Sequence, residues 1–432
     1  MRSHRWVFGV AVAAGVIALF AGSSARDARA TLPPGNTVQQ WNKIAEDTIV
    51  GSGAFQNESF VYMAYVSQAV YRAVAPGERN GQSADAAVIG AASTVLEHYF
   101  PAQASAVDAL RQEALAGLPA DQRTAVGLRY GDLTGQKEIA DRAGDGLQAI
   151  ASTSAFALLA PGAGVWRLTP PYAAPQTPWV GGVRPFILNS ADQFLPAPPP
   201  PLTSQTWIDA FNETKLHGSN TNPNSDEKAT ARFWTANVVR QYNGLARAIA
   251  TAQGSDLVQT ARLMAMLNEV VADAGISVMY AKYKYLFWRP VTAIDPTSVT
   301  NDGMGPAPTG FDDGNAATQE QAGWRPLIST PNHPEYPSAH CGVTAAATAV
   351  FAKFLGTDAI NVNVHGFDPS QPSPNLAAVR FFATVDDLRE QVANARVWGG
   401  MHWRFSTTAG DTLGQSVADY DLSHAFSGNG DK

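Results

Sequence analysis

Apolar residues recur at helical spacing along most of this 432-residue chain. Side chains three, four and seven positions apart share one face of an α-helix, so this spacing predicts helices that pack through an apolar face. Runs that alternate apolar and polar residues, as in half-buried strands, are few. We therefore predict an all-α fold, whose clearest early helices cover Val38 to Ile49, Glu58 to Ala75, Ala84 to Tyr99 and Ala104 to Ala116.

A proline-rich stretch over residues 160–202 interrupts the helical pattern, with Pro198 to Pro201 as its densest part. Proline removes a backbone donor and excludes regular helix. Trp166 and Trp179 lie among the prolines, which favours an ordered loop over the core rather than a linker. We expect one large domain over residues 31–432, with a helical part over about 31–160 and a site-bearing helical part over about 203–432.

The N-terminus has the pattern of an export signal. A basic start is followed by an apolar run from Trp6 to Gly22 and by the small-x-small sequence Ala28-Arg29-Ala30. This pattern predicts a signal peptide over residues 1–30 and a periplasmic or secreted protein, and the alternative is an uncleaved anchor helix. No later stretch is expected to span a membrane. Cys341 is the only cysteine, so stability must come from packing rather than from an intrachain disulfide.

Composition is that of a globular protein, with 45% hydrophobic and 16% charged residues. The formal net charge of −7 disfavours a general nucleic-acid binder. An anionic ligand would have to be attracted by local positive charge.

The first candidate motif is a pair of cations, Lys282 and Arg289. A helix capped by Ser255 is predicted to run through this region and to end near Trp288, because Pro290 disfavours helical backbone in the residue before it. Seven helical positions correspond to a rise of about 10 Å, so the two long side chains could converge on one ligand. A solvated cation pair is the alternative.

The second motif, Pro337-Ser338-Ala339-His340, is predicted to open a helix that Gly356 closes. Ser338 as N-cap leaves free backbone N–H groups and the positive end of the helix dipole beside His340, where an anion is stabilised. An ordinary capped helix is the alternative. Cys341 is predicted to be a packed residue, because no arginine follows at the spacing of a cysteine phosphatase loop.

The third motif joins Arg396 to His402 across the pair Gly399-Gly400. Arg396 is predicted near the end of a helix built on Val379, Phe382, Val385, Leu388 and Val392. His402 is predicted in a loop that leads into Ser406, Asp411 and Gly414. Together the three motifs offer two guanidinium groups, an ammonium, a hydroxyl and two histidines, which is the donor set of a tetrahedral oxyanion site.

In this order the motifs resemble the superfamily that joins vanadium-dependent haloperoxidases with type 2 phosphatidic-acid phosphatases and bacterial acid phosphatases. The shared pattern is Lys-x6-Arg-Pro, Pro-Ser-Gly-His and Arg-x5-His. The longer segments Phe287 to Ile294, His333 to Ser338 and Gly399 to Phe405 are similar to the soluble bacterial haloperoxidase branch. This resemblance implies a nearly all-α fold with the site inside helical bundles.

The resemblance also implies a cofactor, vanadate, and a role for each site residue. Lys282, Arg289 and Arg396 would neutralise its equatorial oxygens, and Ser338 and the backbone N–H of Ala339 would add hydrogen bonds. His402 would be the direct ligand to vanadium, and His340 the acid–base group. His333 occupies a position that carries histidine in bromoperoxidases and phenylalanine in fungal chloroperoxidases, which favours bromide.

Hydrogen peroxide, a halide and a small organic acceptor are the implied reactants, with hypohalous acid as product and phosphate as a competitor for the site. An acid phosphatase is the alternative enzyme, with His402 as nucleophile and His340 as general acid. A non-catalytic oxyanion-binding protein is a third interpretation.

Three positions depart from the family pattern. Ala339 replaces a glycine, which is tolerated only if the position does not need a positive φ. Ala395 replaces a serine before Arg396 and removes a hydroxyl. Met279-Tyr280 replaces a Trp-Asp pair and alters the wall of the site.

Overall fold

The computed structural model of the protein describes residues 31–75, 81–147, 158–169, 174–296 and 312–427. These residues form thirteen α-helices and one two-stranded sheet, which confirms the all-α prediction. The predicted signal peptide over residues 1–30 lies outside the described residues.

The helices in chain order are α1 (Thr37–Gly51), α2 (Gln56–Val74), α3 (Ala84–Tyr99), α4 (Ala104–Ala116), α5 (Gln122–Arg142), α6 (Gln205–His217), α7 (Ser225–Phe233), α8 (Val238–Ala252), α9 (Leu257–Tyr285), α10 (Pro290–Ile294), α11 (Ala339–Leu355), α12 (Val385–Trp398) and α13 (Arg404–His424). The strands are β1 (Val362–Gly366) and β2 (Ala378–Phe382). They pair antiparallel between α11 and α12, from Val362 opposite Phe382 to Gly366 opposite Ala378.

Helix α9 is the centre of the fold and packs against α2, α8, α11 and α13. Its N-cap is Asp256 rather than the predicted Ser255, because the Asp256 side chain accepts the N–H of Gln259 in a reciprocal capping box. The helix also ends before the predicted Trp288. Leu286 adopts a left-handed conformation at φ 48° and donates its N–H to the carbonyl of Lys282, which stops the helix at Tyr285.

By length and apolar composition, α9 could cross a membrane, contrary to the expectation that no later stretch would. However, 94% of its most apolar window is buried inside the protein. A helix that is apolar all round is also what the centre of a large helical core requires. Burial in the core therefore accounts for the composition of α9.

Glycine brings α11 and α13 into backbone contact. A Cβ atom on Gly414 would lie 2.0 Å from the carbonyl oxygen of Gly342, and one on Gly410 would lie 2.3 Å from that of Ser338. Neither position has room for a side chain, so the two backbones approach more closely than other residues permit. We call this contact the glycine seam. It holds the N-terminus of α11 against the first turns of α13.

The described part of the proline-rich segment lies on the core. Trp166 is 1% exposed and donates its backbone N–H to the carbonyl of Leu286. Farther along, the carboxylate of Asp273 on α9 accepts three successive backbone N–H groups, at 2.7 to 3.0 Å, from Phe186, Ile187 and Leu188. These hydrogen bonds tie the loop to the central helix.

One prediction near the third motif is wrong. Val379 and Phe382 belong to β2 rather than to the helix that carries Arg396, because pairing with β1 provides their backbone hydrogen bonds. The helix begins only after Thr384, whose side chain caps it. His402 lies in a short loop, as predicted, and the loop leads into α13. This helix starts at Arg404 and contains Ser406, Asp411 and Gly414.

Candidate functional site

The three sequence motifs meet at one buried place beside the glycine seam. Lys282 lies in the last turn of α9, Arg289 precedes α10, and Arg396 lies in the last turn of α12. Ser338 and His340 begin α11, and His402 lies two residues before α13. We call this group the cage; its side chains are Lys282, Arg289, His333, Ser338, His340, Arg396 and His402.

Lys282 is fully buried, and its ammonium donates to the carbonyl oxygens of Pro334 at 3.1 Å and Glu335 at 2.8 Å. Burial, followed by repulsion from Arg289, lowers the pKa of Lys282 well below its usual value. An anion in the cage would oppose both effects by favouring the charged ammonium.

Arg289 is held rigidly at 1% exposure. Its Nε and Nη2 donate to the carbonyl of His333 at 3.1 and 3.0 Å, and its Nη1 donates to the carbonyl of Met401 at 2.9 Å. Nη2 also lies 3.1 Å from Nδ1 of His333, and Nη1 lies 3.4 Å from Nε2 of His402. The guanidinium therefore links His333, which precedes the second motif, to the third motif.

Arg396 is 3% exposed, yet only its Nη1 is hydrogen-bonded within the described residues, to the carbonyl of Trp234 at 3.3 Å. Its Nε is buried without a partner there. Burial lowers the pKa of Arg396, and likewise that of Arg289, to about 10, so both guanidinium groups remain charged at neutral pH. Arg396 therefore has N–H groups available to donate hydrogen bonds to a ligand.

Ser338 is the N-cap of α11, as predicted, and Gly356 ends this helix at φ 72°. Ser338 Oγ accepts the N–H of Cys341 over a long 3.5 Å, which leaves its hydroxyl proton available to a ligand. Ala339, the first helical residue, has no positive φ, so alanine fits where the family pattern has glycine. Cys341 is a packed residue, and burial raises its pKa to about 12.

His402 is paired with a buried carboxylate, that of Glu335. The His402 Nδ1 lies 2.7 Å from Glu335 Oε1, which also accepts the backbone N–H of Trp403 at 3.1 Å. Burial, then Arg289 and the other cations, holds the pKa of His402 well below its usual value, so the ring is neutral. Burial raises the pKa of Glu335 to about 7, although Lys282 and Arg289 oppose this shift.

His340 has a different environment from His402. It is partly exposed, and its ring makes no hydrogen bond to another described residue. Burial and the charges of Arg396, Lys282 and Arg289 lower its pKa well below the usual value. A neutral imidazole with both nitrogens free of protein partners can exchange a proton with a ligand in the cage.

The cage fits a multiply charged oxyanion. Within the described residues, Lys282, Arg289 and Arg396 form no ion pair with a carboxylate. Burying a cation without a counter-ion is costly, and guanidinium cannot relieve the cost by losing its proton at neutral pH. A tetrahedral anion would supply the missing negative charge and accept the free donors of Arg396 and Ser338.

Sequence reasoning placed the cage side chains but missed the role of Glu335. The residue was seen only as part of the segment His333 to Ser338, although an acidic residue within Pro-Glu-Tyr-Pro was a usable signal. The backbone acceptors of Arg289 and Arg396, at Met401 and Trp234, leave no trace in side-chain identity. The other two departures lie in the core: Ala395 is fully buried, and Met279 is 1% exposed.

Residues 262–428 match the family model of the VCPO second helical-bundle domain. These residues are therefore a vanadium haloperoxidase-type domain. The match includes every cage residue, and it confirms the family resemblance of the motifs.

A curated relative agrees with this assignment. Vanadium chloroperoxidase of Curvularia inaequalis is 24% identical over 295 residues, which are 55% of this chain and 47% of that protein. The chain thus spans about half the length of the curated relative that it matches.

Solved structures extend the likeness in fold to most of the chain. A bacterial vanadium-dependent iodoperoxidase superposes with a TM-score of 0.70 at 21% identity, covering 91% of this chain and 98% of that one. A holo-type bacterial vanadium-dependent chloroperoxidase gives 0.66 at 16% identity, with the same coverage of each chain. Most of this chain therefore has the helical fold of these haloperoxidases.

Proposed function

We propose that this protein is a vanadate-dependent haloperoxidase that uses hydrogen peroxide to oxidise a halide to hypohalous acid. One observation carries the proposal most directly: Lys282, Arg289 and Arg396 are buried beside a neutral histidine, His402, and within the described residues none of the three forms an ion pair with a carboxylate. The relatives named above are haloperoxidases, and their names support the choice of vanadate over other tetrahedral anions.

Bound vanadate would supply a Lewis-acid centre that activates peroxide without changing its own oxidation state. The protein supplies the surroundings. Lys282, Arg289 and Arg396 would hold the negative charge of the oxyanion in a site from which water is largely excluded. The hydroxyl of Ser338 would add one donor, and the N–H groups at the start of α11 would add others.

The two histidines would have separate tasks. His402 presents the lone pair of Nε2 to the cage, as a ligand to the metal requires. His340 has no protein partner on its ring and can move protons. Converting peroxide and halide to hypohalous acid and water consumes one proton, and we assign its delivery to His340.

We further propose that bromide is preferred over chloride, with a small organic molecule as the halogen acceptor. The support is the position of His333, whose Nδ1 lies 3.1 Å from Nη2 of Arg289. Replacing His333 by phenylalanine should shift the ratio of bromide to chloride oxidation toward chloride. An unchanged ratio would remove His333 from halide selection.

The N-terminal pattern supports the proposal that the enzyme acts outside the cytoplasm. The N-terminus of the exported protein should lie close to Thr31, which sequencing of the mature form checks. Recovery of intact protein with Met1 in the membrane fraction would contradict it.

The deciding experiment uses purified protein freed of phosphate and loaded with orthovanadate. Bromination of a β-diketone should require vanadate, peroxide and bromide together, and phosphate should inhibit by competing for the cage. Hydrolysis of an aryl phosphate is measured in parallel. Phosphatase activity without halogenation would favour the phosphohistidine alternative, and binding of oxyanions with neither activity would favour a binding protein.

Two variants test the division of labour. His402→Ala should lose both retained vanadium, measured by elemental analysis after gel filtration, and turnover. His340→Ala should retain more vanadium than activity. Circular dichroism verifies that both variants fold, and the opposite pattern of metal retention would reverse the two roles.

A further inference from the structure

We propose that Glu335 is a positioning residue that fixes the orientation and tautomer of His402. In this tautomer the unprotonated Nε2 faces the cage. The part of this inference that concerns metal ligation rests on the proposed function. The part that concerns the tautomer rests on geometry alone. No role for an acidic residue at this position was predicted from the motifs.

Two nitrogen atoms lie within hydrogen-bond distance of Glu335 Oε1. This oxygen accepts the backbone N–H of Trp403 at 3.1 Å and lies 2.7 Å from Nδ1 of His402. An oxygen that already accepts an amide proton is placed as an acceptor, so Nδ1 is the donor in the shorter contact. Because Trp403 directly follows His402, one oxygen restrains both the ring and the backbone beside it.

Nε2, on the opposite edge of the His402 ring, also faces a donor. Nε2 of His402 lies 3.4 Å from Nη1 of Arg289. A guanidinium carries only donors, so Nε2 must face it with a lone pair. Two contacts on different sides of the ring therefore specify the same tautomer, with the proton on Nδ1.

Burial makes this arrangement firm. Glu335 is fully buried and His402 is 2% exposed, so water does not compete for either group. The carbonyl of Glu335 also accepts the Lys282 ammonium at 2.8 Å. Glu335 is thus tied through its side chain to the third motif and through its backbone to the first.

Charge gives Glu335 a second effect. Within the described residues it is the one carboxylate hydrogen-bonded to a cage side chain. A carboxylate that accepts from a ligating histidine raises the basicity of the other ring nitrogen. Glu335 should therefore strengthen the bond that His402 offers to a bound metal, beyond orienting the ring.

The test compares Glu335→Gln, Glu335→Leu and a control, Glu269→Gln, which changes a buried carboxyl that bonds Gln68 away from the cage. The whole protein is labelled with ¹⁵N-histidine, and His402→Ala identifies the resonances of His402. The Nδ1-protonated tautomer is expected in the parent protein and in Glu335→Gln, whose amide oxygen can still accept. Glu335→Leu should show a mixture of tautomers.

Affinity for orthovanadate and for inorganic phosphate is measured by equilibrium dialysis. Loss of a carboxylate behind a ligating histidine typically costs about 10- to 100-fold in metal affinity, so Glu335→Leu should weaken vanadate binding by that factor. Glu335→Gln should fall between Glu335→Leu and the parent, and Glu269→Gln should match the parent. Phosphate binding should change less, since it needs no bond to Nε2.

The inference is overturned if His402 in the parent protein carries its proton on Nε2, a result that does not depend on whether Glu335→Leu folds. It is also overturned if folded Glu335→Leu keeps the parent tautomer and vanadate affinity. Failure of the proposed function looks different. In that case the vanadate-loaded parent would not halogenate, while the tautomer would still change in Glu335→Leu.

Discussion

Helix α9 passes through two buried clusters of opposite charge. Near its middle, Glu269 and Asp273 lie close to Asp421 of α13, which is fully buried and has no hydrogen-bond partner for either carboxyl oxygen within the described residues. At its end, Lys282 enters the cage with Arg289. One helix contributes to both clusters, yet the free-energy cost of buried charge is reduced in a different way in each.

The acidic cluster can neutralise itself. Burial, with repulsion from Glu138, raises the pKa of Glu269 to about 8, and burial with repulsion from Asp273 and Glu269 raises the pKa of Asp421. These groups take up protons and lose their charge near neutral pH. The guanidinium groups of the cage keep pKa values of about 10 and stay charged. A basic cluster built from arginine therefore cannot lose its charge at neutral pH, which is the reason to expect a bound anion there.

The largest expected effect follows from removing one of these arginines. Arg396→Met should weaken vanadate and phosphate binding by about 100-fold, because truncating one member of a buried charge contact costs several kcal/mol. In the absence of anion, its melting temperature should equal or exceed that of the parent, since an uncompensated buried charge is gone. Dialysis and calorimetry measure the two quantities.

Asp421→Asn is the matched control for Arg396→Met, because it changes a buried ionisable residue in the other cluster. Its anion affinity should equal that of the parent. If Arg396→Met melted lower without anion and bound phosphate normally, Arg396 would be a structural residue and the contrast between the clusters would fail.

A second prediction concerns anions and stability. A ligand at 100 times its dissociation constant stabilises the folded state by about 2.7 kcal/mol, so phosphate should raise the melting temperature of the parent and of Asp421→Asn alike. Arg396→Met should show little rise at the same concentration. An equal rise in all three proteins would indicate a general salt effect instead of occupation of the cage.

A third prediction concerns pH and the acidic cluster. The folded-state pKa of Glu269, about 8, lies above its ordinary value of 4.5, so the folded state holds more protons than the unfolded state between these values. The stabilisation is complete below about pH 4.5 and is lost as the pH rises through about 8. Denaturant titrations should show the free energy of unfolding falling across this window.

In Glu269→Gln the fall should be shallower, since the amide does not titrate. Gln68 faces this position and can still hydrogen-bond to the amide. A pH profile identical to that of the parent would mean that Glu269 titrates normally in the folded protein.

The smallest effect is expected at Ala339. Its φ is not positive, so Ala339→Gly relieves no strain and should lower the free energy of unfolding by roughly 0.5–1 kcal/mol through the greater freedom of glycine in the unfolded chain. The backbone N–H remains, and anion affinity should change by less than about threefold, equivalent to less than 1 kcal/mol. A much larger gain in affinity would show that the methyl group obstructs the ligand.

The sequence was most informative where local chemistry determines structure. Both caps of α11, Ser338 and Gly356, were predicted. The side chain of Ser338 and the absence of a side chain at Gly356 each act within a single turn of the helix. The cage side chains were predicted because residue type at fixed spacing carries the chemistry. Prediction failed where contacts between distant residues determine the secondary structure. The local apolar spacing around Val379 and Phe382 suggested a helix, but these residues form β2 because it pairs with β1.

Prediction of the site had the same limit. The partner of His402 is Glu335, 67 positions earlier in the chain, and nothing in the sequence specifies that the two side chains meet. The end of α9 depends on Leu286 in a left-handed conformation, which is unusual for leucine and is held here by its tertiary surroundings. Spacing therefore identified which side chains lie together in the cage but could not show how each is oriented.

The glycine seam bears on how such a protein can diverge. At Gly410 and Gly414 the spacing between α11 and α13 is set by direct contact of the two backbones, with the nearest opposing oxygens at Ser338 and Gly342. Side chains elsewhere in the bundle can exchange shape and volume without altering that spacing. The chain shares only 16% identity with a bacterial chloroperoxidase and superposes on it with a TM-score of 0.66, so the helical arrangement is similar although most side chains differ. A side chain added at either of these two α-carbons would have to push the helices apart.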